Sequence, residues 1–478
     1  MRSSPLAAGA GVILSVLLAA CSTPAELGHP ATPAMPAAFH QAEVASAAWD
    51  GPWWTSFDDP QLSALVERAI ASNHDVRIAL QRVKQARSGE VRADAALLPT
   101  VSAGGSYVNA KNGFSDSVKQ KVPEVRSESF GLNLSWEVDL FGGNRATARA
   151  ANRDLVATEY EAAGAQLLTA SEVARYYFVW RAAQDKLAVL EQLRDVQQQT
   201  QRHHERRSSE GLDAVATTDD ARAETARINA QLVPVRTAIV AAEQHLATLL
   251  GTRDMSFLRT ESTPTAWGNV PRIAAGQPSE LLWRRPDLLA AESRLRAEGE
   301  RVESARAQRW PKLFLSALLG HGNLALNGIM NGPARFSNVA AAFAMPIFDG
   351  GRITASIDQQ KSVRESAWLS YDQAALRAIE EVETSLARVH NEQDDIDRAA
   401  EQLAVRSTNL QRGRNALREG DIGQLPLLGM QQAELLSKLT VIGARETRAL
   451  AAVQLYQALG GGWHATNAAL ATSAQHPH

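Results

Sequence analysis

The chain has 478 residues, 45% of them hydrophobic and 21% charged, with 49 basic side chains against 52 acidic ones. So even a balance supplies no field to hold a polyanion, which excludes nucleic acid as a partner. A mean hydropathy of -0.22 excludes a polytopic helical membrane protein but leaves a β-barrel open. Cys21 is the one cysteine, so an internal disulfide and any cysteine-built metal site are ruled out.

No residue between Arg2 and Glu26 is charged, and Leu6 to Ala20 is nearly all apolar. That run is too short for a membrane span and reads as the apolar core of a signal peptide over residues 1–20. It ends Leu18-Ala19-Ala20-Cys21, similar to the bacterial lipobox, in which the thiol takes a diacylglyceryl group before cleavage. Cys21 is therefore expected to be the acylated first residue of the mature chain, and several acyl chains on it would anchor firmly where one would not. Ser22, in place of an aspartate, points to the outer membrane. Residues 21–48, rich in Pro and Ala, read as a tether.

The rest is written twice, at an offset of about 210. Asn73 to Pro99 matches Arg285 to Pro311. Phe141-Gly142-Gly143-Asn144-Arg145 matches Phe348-Asp349-Gly350-Gly351-Arg352, Glu210-Gly211 matches Glu419-Gly420, and Leu250-Gly251 matches Leu459-Gly460. Collinear order makes duplication the reading, with repeats over 49–270 and 271–463 and a tail over 464–478. Each repeat runs helix, alternating segments, very long helix, glycine turn, helix.

In the first repeat Phe130, Leu132, Leu134, Trp136, Val138 and Leu140 alternate with polar residues. That period puts every apolar side chain on one face of a strand. The second repeat gives Val339, Ala341, Phe343, Met345 and Ile347. Such runs of about ten residues suit a tilted strand crossing a bilayer, with Leu132, Leu134, Trp136, Val138, Val339, Phe343 and Ile347 expected on the lipid face. Partner strands precede them at Val101 to Val108 and Leu313 to Leu319. Their loops are expected at Asn109 to Gly113 and around Asn323 to Pro333. Four strands cannot close a barrel, and open edges in lipid leave backbone groups unpaired. Strands must be pooled between chains, and three copies give a 12-stranded barrel.

The helices reach far beyond a membrane. Ala146 to Arg207 and Ile353 to Arg418 are each more than 60 residues without a proline, about 90 Å or longer. A seam is written as Ile379, Val382, Leu386, Val389, Gln393, Ile396, Ala400 and Leu403, and its copy as Val173, Tyr177, Trp180, Gln184 and Leu187. Leu190 and Leu193 fall off that seam, so this helix carries a second apolar face, as a wall of helices requires.

Catalytic signals are missing from the sequence. His203-His204-Glu205 lacks the spacing that sets two imidazoles on one helical face, and reads as helix surface. No Walker A loop or dinucleotide fingerprint is present, and Glu380-Glu381 reads as a solvated face. Trp136 suits an aromatic girdle, whereas Trp53, Trp54 and Trp283 suit a packed belt.

Three further pieces are specific: Trp53-Trp54 with Phe57-Asp58-Asp59-Pro60-Gln61-Leu62, Arg284-Arg285-Pro286-Asp287-Leu288 running to Ala291-Glu292, and the twin Phe-Gly-Gly exits. With them the mature chain resembles a TolC-like outer membrane factor of the nodulation-T-type efflux lipoprotein kind. The resemblance implies a mainly helical homotrimer with membrane β structure: one 12-stranded barrel in outer membrane lipid and a long helical tube below it. It further implies a periplasmic adaptor (membrane fusion) protein and an inner-membrane pump of the resistance-nodulation-division type as partners, drugs or other small toxic compounds as cargo, and no cofactor, metal or catalytic residue. A duct for type I protein or polysaccharide secretion is the alternative. In that family the two glycine turns are the periplasmic gate and the adaptor tip, which here carry Gly211, Asp213, Arg418, Glu419, Gly420 and Asp421. On this reading Asp421 forms an acidic ring by threefold symmetry, and Arg418 and Glu419 pair between helices. Gly423, Pro426 and Gly429 depart from the family's pattern at the second tip.

Overall fold

A computed structural model describes residues 32–41, 51–119, 121–122, 124–254, 267–271, 273–461 and 463. Cys21, the signal segment and the tail over 464–478 lie outside the described residues, as does most of the tether. From Pro36 onward the described residues form one compact unit.

The elements in order are α1 (Pro60–Ser72), α2 (His74–Ala95), β1 (Thr100–Ala110), α3 (Asp116–Lys119), β2 (Val125–Val138), α4 (Gly143–Ser209) and α5 (Val215–Leu249). There follow α6 (Leu281–Arg284), α7 (Pro286–Ala307), β3 (Lys312–Leu326), β4 (Ile329–Ala344), α8 (Arg352–Glu419) and α9 (Gln424–Ala458). α4 and α8 have 67 and 68 residues, which is about 100 Å each.

Two rows of helices share the long pair. Nearer the sheet, α2 packs on α4, α4 on α7 and α7 on α8; farther away, α5 packs on α4, α4 on α9 and α9 on α8. Middle helices bury residues all round, edge helices only one stripe. Thus α5 hides Thr218, Ala221, Thr225, Ile228 and Leu232 and leaves Val215, Val233 and Val240 exposed. Leu190 and Leu193 of α4 enclose a core with Ile228, Leu232 and Leu435, which is the second apolar face expected of that helix. On α8 the seam holds at Val382 and Leu386 but then turns to Ala399, leaving Ala400 exposed, because a straight helix drifts from a strict heptad.

At mid-height a belt closes over the first repeat. Trp53, Trp54, Phe57, Tyr177, Phe178, Trp180, Trp267 and Tyr456 share one core, with Trp53 stacked on Tyr456 at 5.2 Å. Trp283 does not join it and is 58% exposed. Asp59 locks the belt to α4. One carboxylate oxygen caps α1 by accepting from the Gln61 and Leu62 amides, and the other accepts from the Tyr177 hydroxyl at 2.7 Å.

The duplication is visible in how each repeat ties itself. Asn73 caps α2 and donates to the Leu249 carbonyl at 2.9 Å, while its counterpart Arg285 donates to the Ala458 carbonyl at 2.9 Å. Gly251 and Gly460 take φ of 62° and 70°, and a Cβ on either would press on a backbone oxygen, of Ser72 at 2.8 Å or Arg284 at 2.9 Å. Only glycine fits either site. Arg285 also pairs with Asp287 and with Glu381 at 2.7 Å, so Glu381 is tied rather than merely solvated.

The four strands form one antiparallel sheet in the order β1-β2-β3-β4, with β1 and β4 as open edges. The expected loop at Asn323 to Pro333 is mostly strand. β3 and β4 meet in a two-residue turn at Asn327 and Gly328, with φ of 48° and 82°. Positive φ at both residues is the turn that matches strand twist, and Asn-Gly is its preferred sequence.

Candidate functional site

Register fixes which residues share a face of the sheet. Leu132, Leu134, Trp136 and Val138 lie opposite Leu319, Ala317, Leu315 and Leu313, and those last three oppose Val339, Ala341 and Phe343. The result is one continuous apolar face. The other is mixed, with Asn133 and Ser135 on β2, Phe314, Ser316 and Leu318 on β3, and Phe336, Asn338 and Ala340 on β4. Ile347 falls outside this surface: β4 ends at Ala344, and Pro346 has no amide for a ladder. Leu140 likewise follows the end of β2 at Val138. Trp136 donates its indole N–H to the Leu97 carbonyl at 3.0 Å, pinning the foot of β2 to the turn after α2.

Below the sheet the two exits are built alike. Asp139 accepts from the Arg145 amide at 2.8 Å, and Asp349 accepts from the Gly351 and Ile353 amides at 3.0 and 2.8 Å. Each carboxylate therefore starts a long helix. Burial works to raise Asp139, yet the amide bonds and Arg145 outweigh it and hold it below 3.8. The Ile353 amide, first among its donors, holds Asp349 low as well.

The far ends of α4 and α8 are the tips. Gly211 at φ 74° and Gly420 at φ 83° end them, with Leu212 N–H bonded back to Arg207 and Asp421 N–H back to Ala416. Here the copies diverge. In the first tip Asp213 accepts from the Arg207 guanidinium at 3.0 Å and meets His204 Nδ1 at 2.8 Å. Arg207, and next His204, hold the Asp213 carboxyl below its ordinary value of 3.8. His204 is thus part of a latch rather than plain helix surface, and Glu205 beside it bonds Arg222 of α5 at 3.1 Å.

At an offset of 209 the latch residues His204, Arg207 and Asp213 become Gly413, Ala416 and Ile422. Those three line a groove of about 440 Å³ between α8 and α9, with Arg406, Arg412 and Met430. Arg418 bonds Asn415 in its own helix at 2.5 Å, while Glu419 and Asp421 are exposed and form no ion pair among the described residues. The two tips therefore differ, one latched and one open.

A strap completes the set. The Glu383 carboxylate of α8 accepts from the His40 amide at 2.7 Å and the Gln41 amide at 3.2 Å. Sequence pattern gave no sign of this tie, since its partners are 343 residues apart.

A sheet open at both edges, continued by helix rows open at both edges, defines a class: a channel subunit whose barrel and tube are completed by other copies. No helix among the described residues is long and apolar enough to cross a membrane. The chain belongs to the outer membrane efflux protein family, whose sequence model matches residues 65–252 and 277–461. It is 31% identical over 470 residues to the pyoverdine export outer membrane protein OpmQ of Pseudomonas aeruginosa, covering 95% of this chain and 97% of that one. It is 27% identical to the multidrug resistance outer membrane protein MdtP of Escherichia coli K12, covering 88% of each. Among solved structures, the outer-membrane channel OprN superimposes with a TM-score of 0.78 at 27% identity, covering 93% of this chain and all of that one. The fold is that of the trimeric outer membrane channels, with four strands per chain in a 12-stranded barrel above a helical tube. The protein is the outer membrane channel of a tripartite efflux pump.

Proposed function

We propose that three copies, each anchored through an acylated Cys21, form a passive duct for drugs or other small toxic compounds. An inner-membrane transporter of the resistance-nodulation-division type and a periplasmic adaptor deliver the cargo, and the adaptor seats on the tips. The observation that carries this reading is the pair of open edges. Both the sheet and the helix rows stop at unpartnered elements, β1 and β4 above and α5 and α8 below, as a closed ring of copies requires. The mixed face, with Asn133, Ser135, Ser316 and Asn338 among Phe314, Leu318 and Phe336, then lines the pore. The sequence holds no nucleotide-binding loop, so the driving energy comes from the transporter. Small-molecule cargo is favoured by the relatives, one described by pyoverdine export and another by multidrug resistance.

Reconstitution tests it. The purified chain should be a trimer and conduct ions across a planar bilayer. In cells lacking their own duct it should restore dye export only when adaptor and transporter are both supplied. Export without them, or a monomer with no conductance, would refute the reading.

A further inference from the structure

We infer that the outward rim of the sheet, at Arg335 and His321, binds the phosphate headgroup of an anionic lipid. This rests on the face of Leu132, Leu134 and Trp136 being the one in contact with lipid. On that face the row Ala103, Leu132, Leu319 and Ser337 closes the apolar band, and the next row is Gly105, Phe130, His321 and Arg335. From Val138 to Phe130 is eight residues, roughly 26 Å along the strand and about 20 Å in height at a tilt of ~40°. A membrane barrel's apolar band is about 25 Å tall, so this row sits where hydrocarbon gives way to headgroups.

His321 and Arg335 are direct partners across β3 and β4, so their Cβ atoms stand about 5 Å apart with both side chains on one face. Both are exposed, and Arg335 makes no ion pair or hydrogen bond among the described residues. The nearest carboxylate on this face, Glu128, lies one row up and two strands away, roughly 12 Å from Arg335 by strand spacings. It is already engaged by Arg126 at 3.2 Å, and Arg126 lies over the Tyr107 ring at 5.7 Å. What remains is an unneutralised guanidinium fork beside an imidazole at headgroup depth. A fork of that geometry matches two oxygens of a phosphate, and low local polarity strengthens the pairing. At the opposite rim the same face ends in Val138, Leu313 and Phe343, so the site belongs to the leaflet nearer the Asn327 turn.

Native mass spectrometry of the purified trimer tests this with three probes: phosphatidylglycerol, phosphatidylcholine and inorganic phosphate. Phosphatidylglycerol should be retained at least tenfold over phosphatidylcholine. Arg335→Gln with His321→Gln should bring the two lipids near parity, and Arg335→Lys, which keeps the charge but loses the fork, should fall between. An unchanged preference in the double variant overturns the site. Binding of inorganic phosphate with no preference between the lipids overturns the headgroup assignment. If Leu134→Lys assembles as readily as Ser135→Lys, the lipid-face reading itself has failed, which separates that failure from failure of the site.

Discussion

Leu134 is the sharpest test of which face of the sheet meets lipid. It stands four residues from Val138 and four from Phe130, about 13 Å along the strand from each end of the apolar run, hence near the midplane. Its cross-strand neighbours are Val101 and Ala317, both apolar. A lysine there has no counter-charge within reach and must bring its ammonium into hydrocarbon, at about 2–4 kcal/mol per chain. Three copies multiply the cost to roughly 6–12 kcal/mol per trimer, since the sites lie on separate sectors of the barrel and add. Ser135, one residue on, faces the other side, and Ser135→Lys should cost little because water solvates it. The assay is insertion of purified chains into lipid vesicles, read as the fraction of heat-dissociable trimer on a gel across a denaturant series. Leu134→Lys should shift the assembly midpoint to markedly lower denaturant, while Ser135→Lys stays near the parent. Equal shifts, or a larger one for Ser135→Lys, would reverse the register and with it the assignment of the pore.

Four further outcomes are expected. Cys21→Ser should abolish labelling by radioactive palmitate and leave uncleaved precursor, and normal labelling would end the lipoprotein assignment. Tyr177→Phe leaves a buried Asp59 oxygen without its hydroxyl donor and should cost about 1–3 kcal/mol in chemical unfolding, an indifferent result showing that water replaces the hydroxyl. Gly328→Ala places a Cβ at φ 82° and should cost about 1–2 kcal/mol, read as faster amide exchange in the ends of β3 and β4. The Asp213 latch is pH-dependent with a definite sign. Its folded pKa lies below 3.8, so its contribution is present above that value and is lost as pH falls through the lower, folded one. A spin label at Ser209→Cys should therefore loosen only under strong acid in the parent and be loose at all pH in Asp213→Asn; equal mobility in both would remove the latch.

Much of this architecture was legible in the sequence because duplication and alternation are local and periodic. The offset between Glu210-Gly211 and Glu419-Gly420 marked both tips, and the alternation from Phe130 to Val138 marked a strand and its faces. Glycine and asparagine around residue 328 suggested a long loop, yet the Asn327-Gly328 pair alone is a complete turn and lets β3 and β4 run on to it. Six strand residues, Leu132, Leu134, Trp136, Val138, Val339 and Phe343, are placed on one face by pattern, but their partners are not. Arg285 to Glu381 and His40 to Glu383 join positions that only the folded chain brings together, and no spacing rule reaches across 96 or 343 residues.

The tips show how two copies of one plan come to do different things. Backbone geometry is kept in both, with Gly211 and Gly420 at nearly the same φ, because a helix must end and another begin. Side chains were free to diverge. Where the first copy fills the space between its helices with His204, Arg207 and Asp213, the second has Gly413, Ala416 and Ile422 and leaves a groove floored by Met430. A Cβ at Gly413 would overlap the Met430 sulfur, so the absence of a side chain there lets α8 and α9 approach closely. In a ring of three chains the two kinds of hairpin alternate around the tube. The first hairpin is tied across its helices close to the turn, by Asp213 with Arg207 and His204, whereas the second is tied farther back, where the Ser407 hydroxyl of α8 donates to the Glu434 carboxylate of α9 at 3.0 Å.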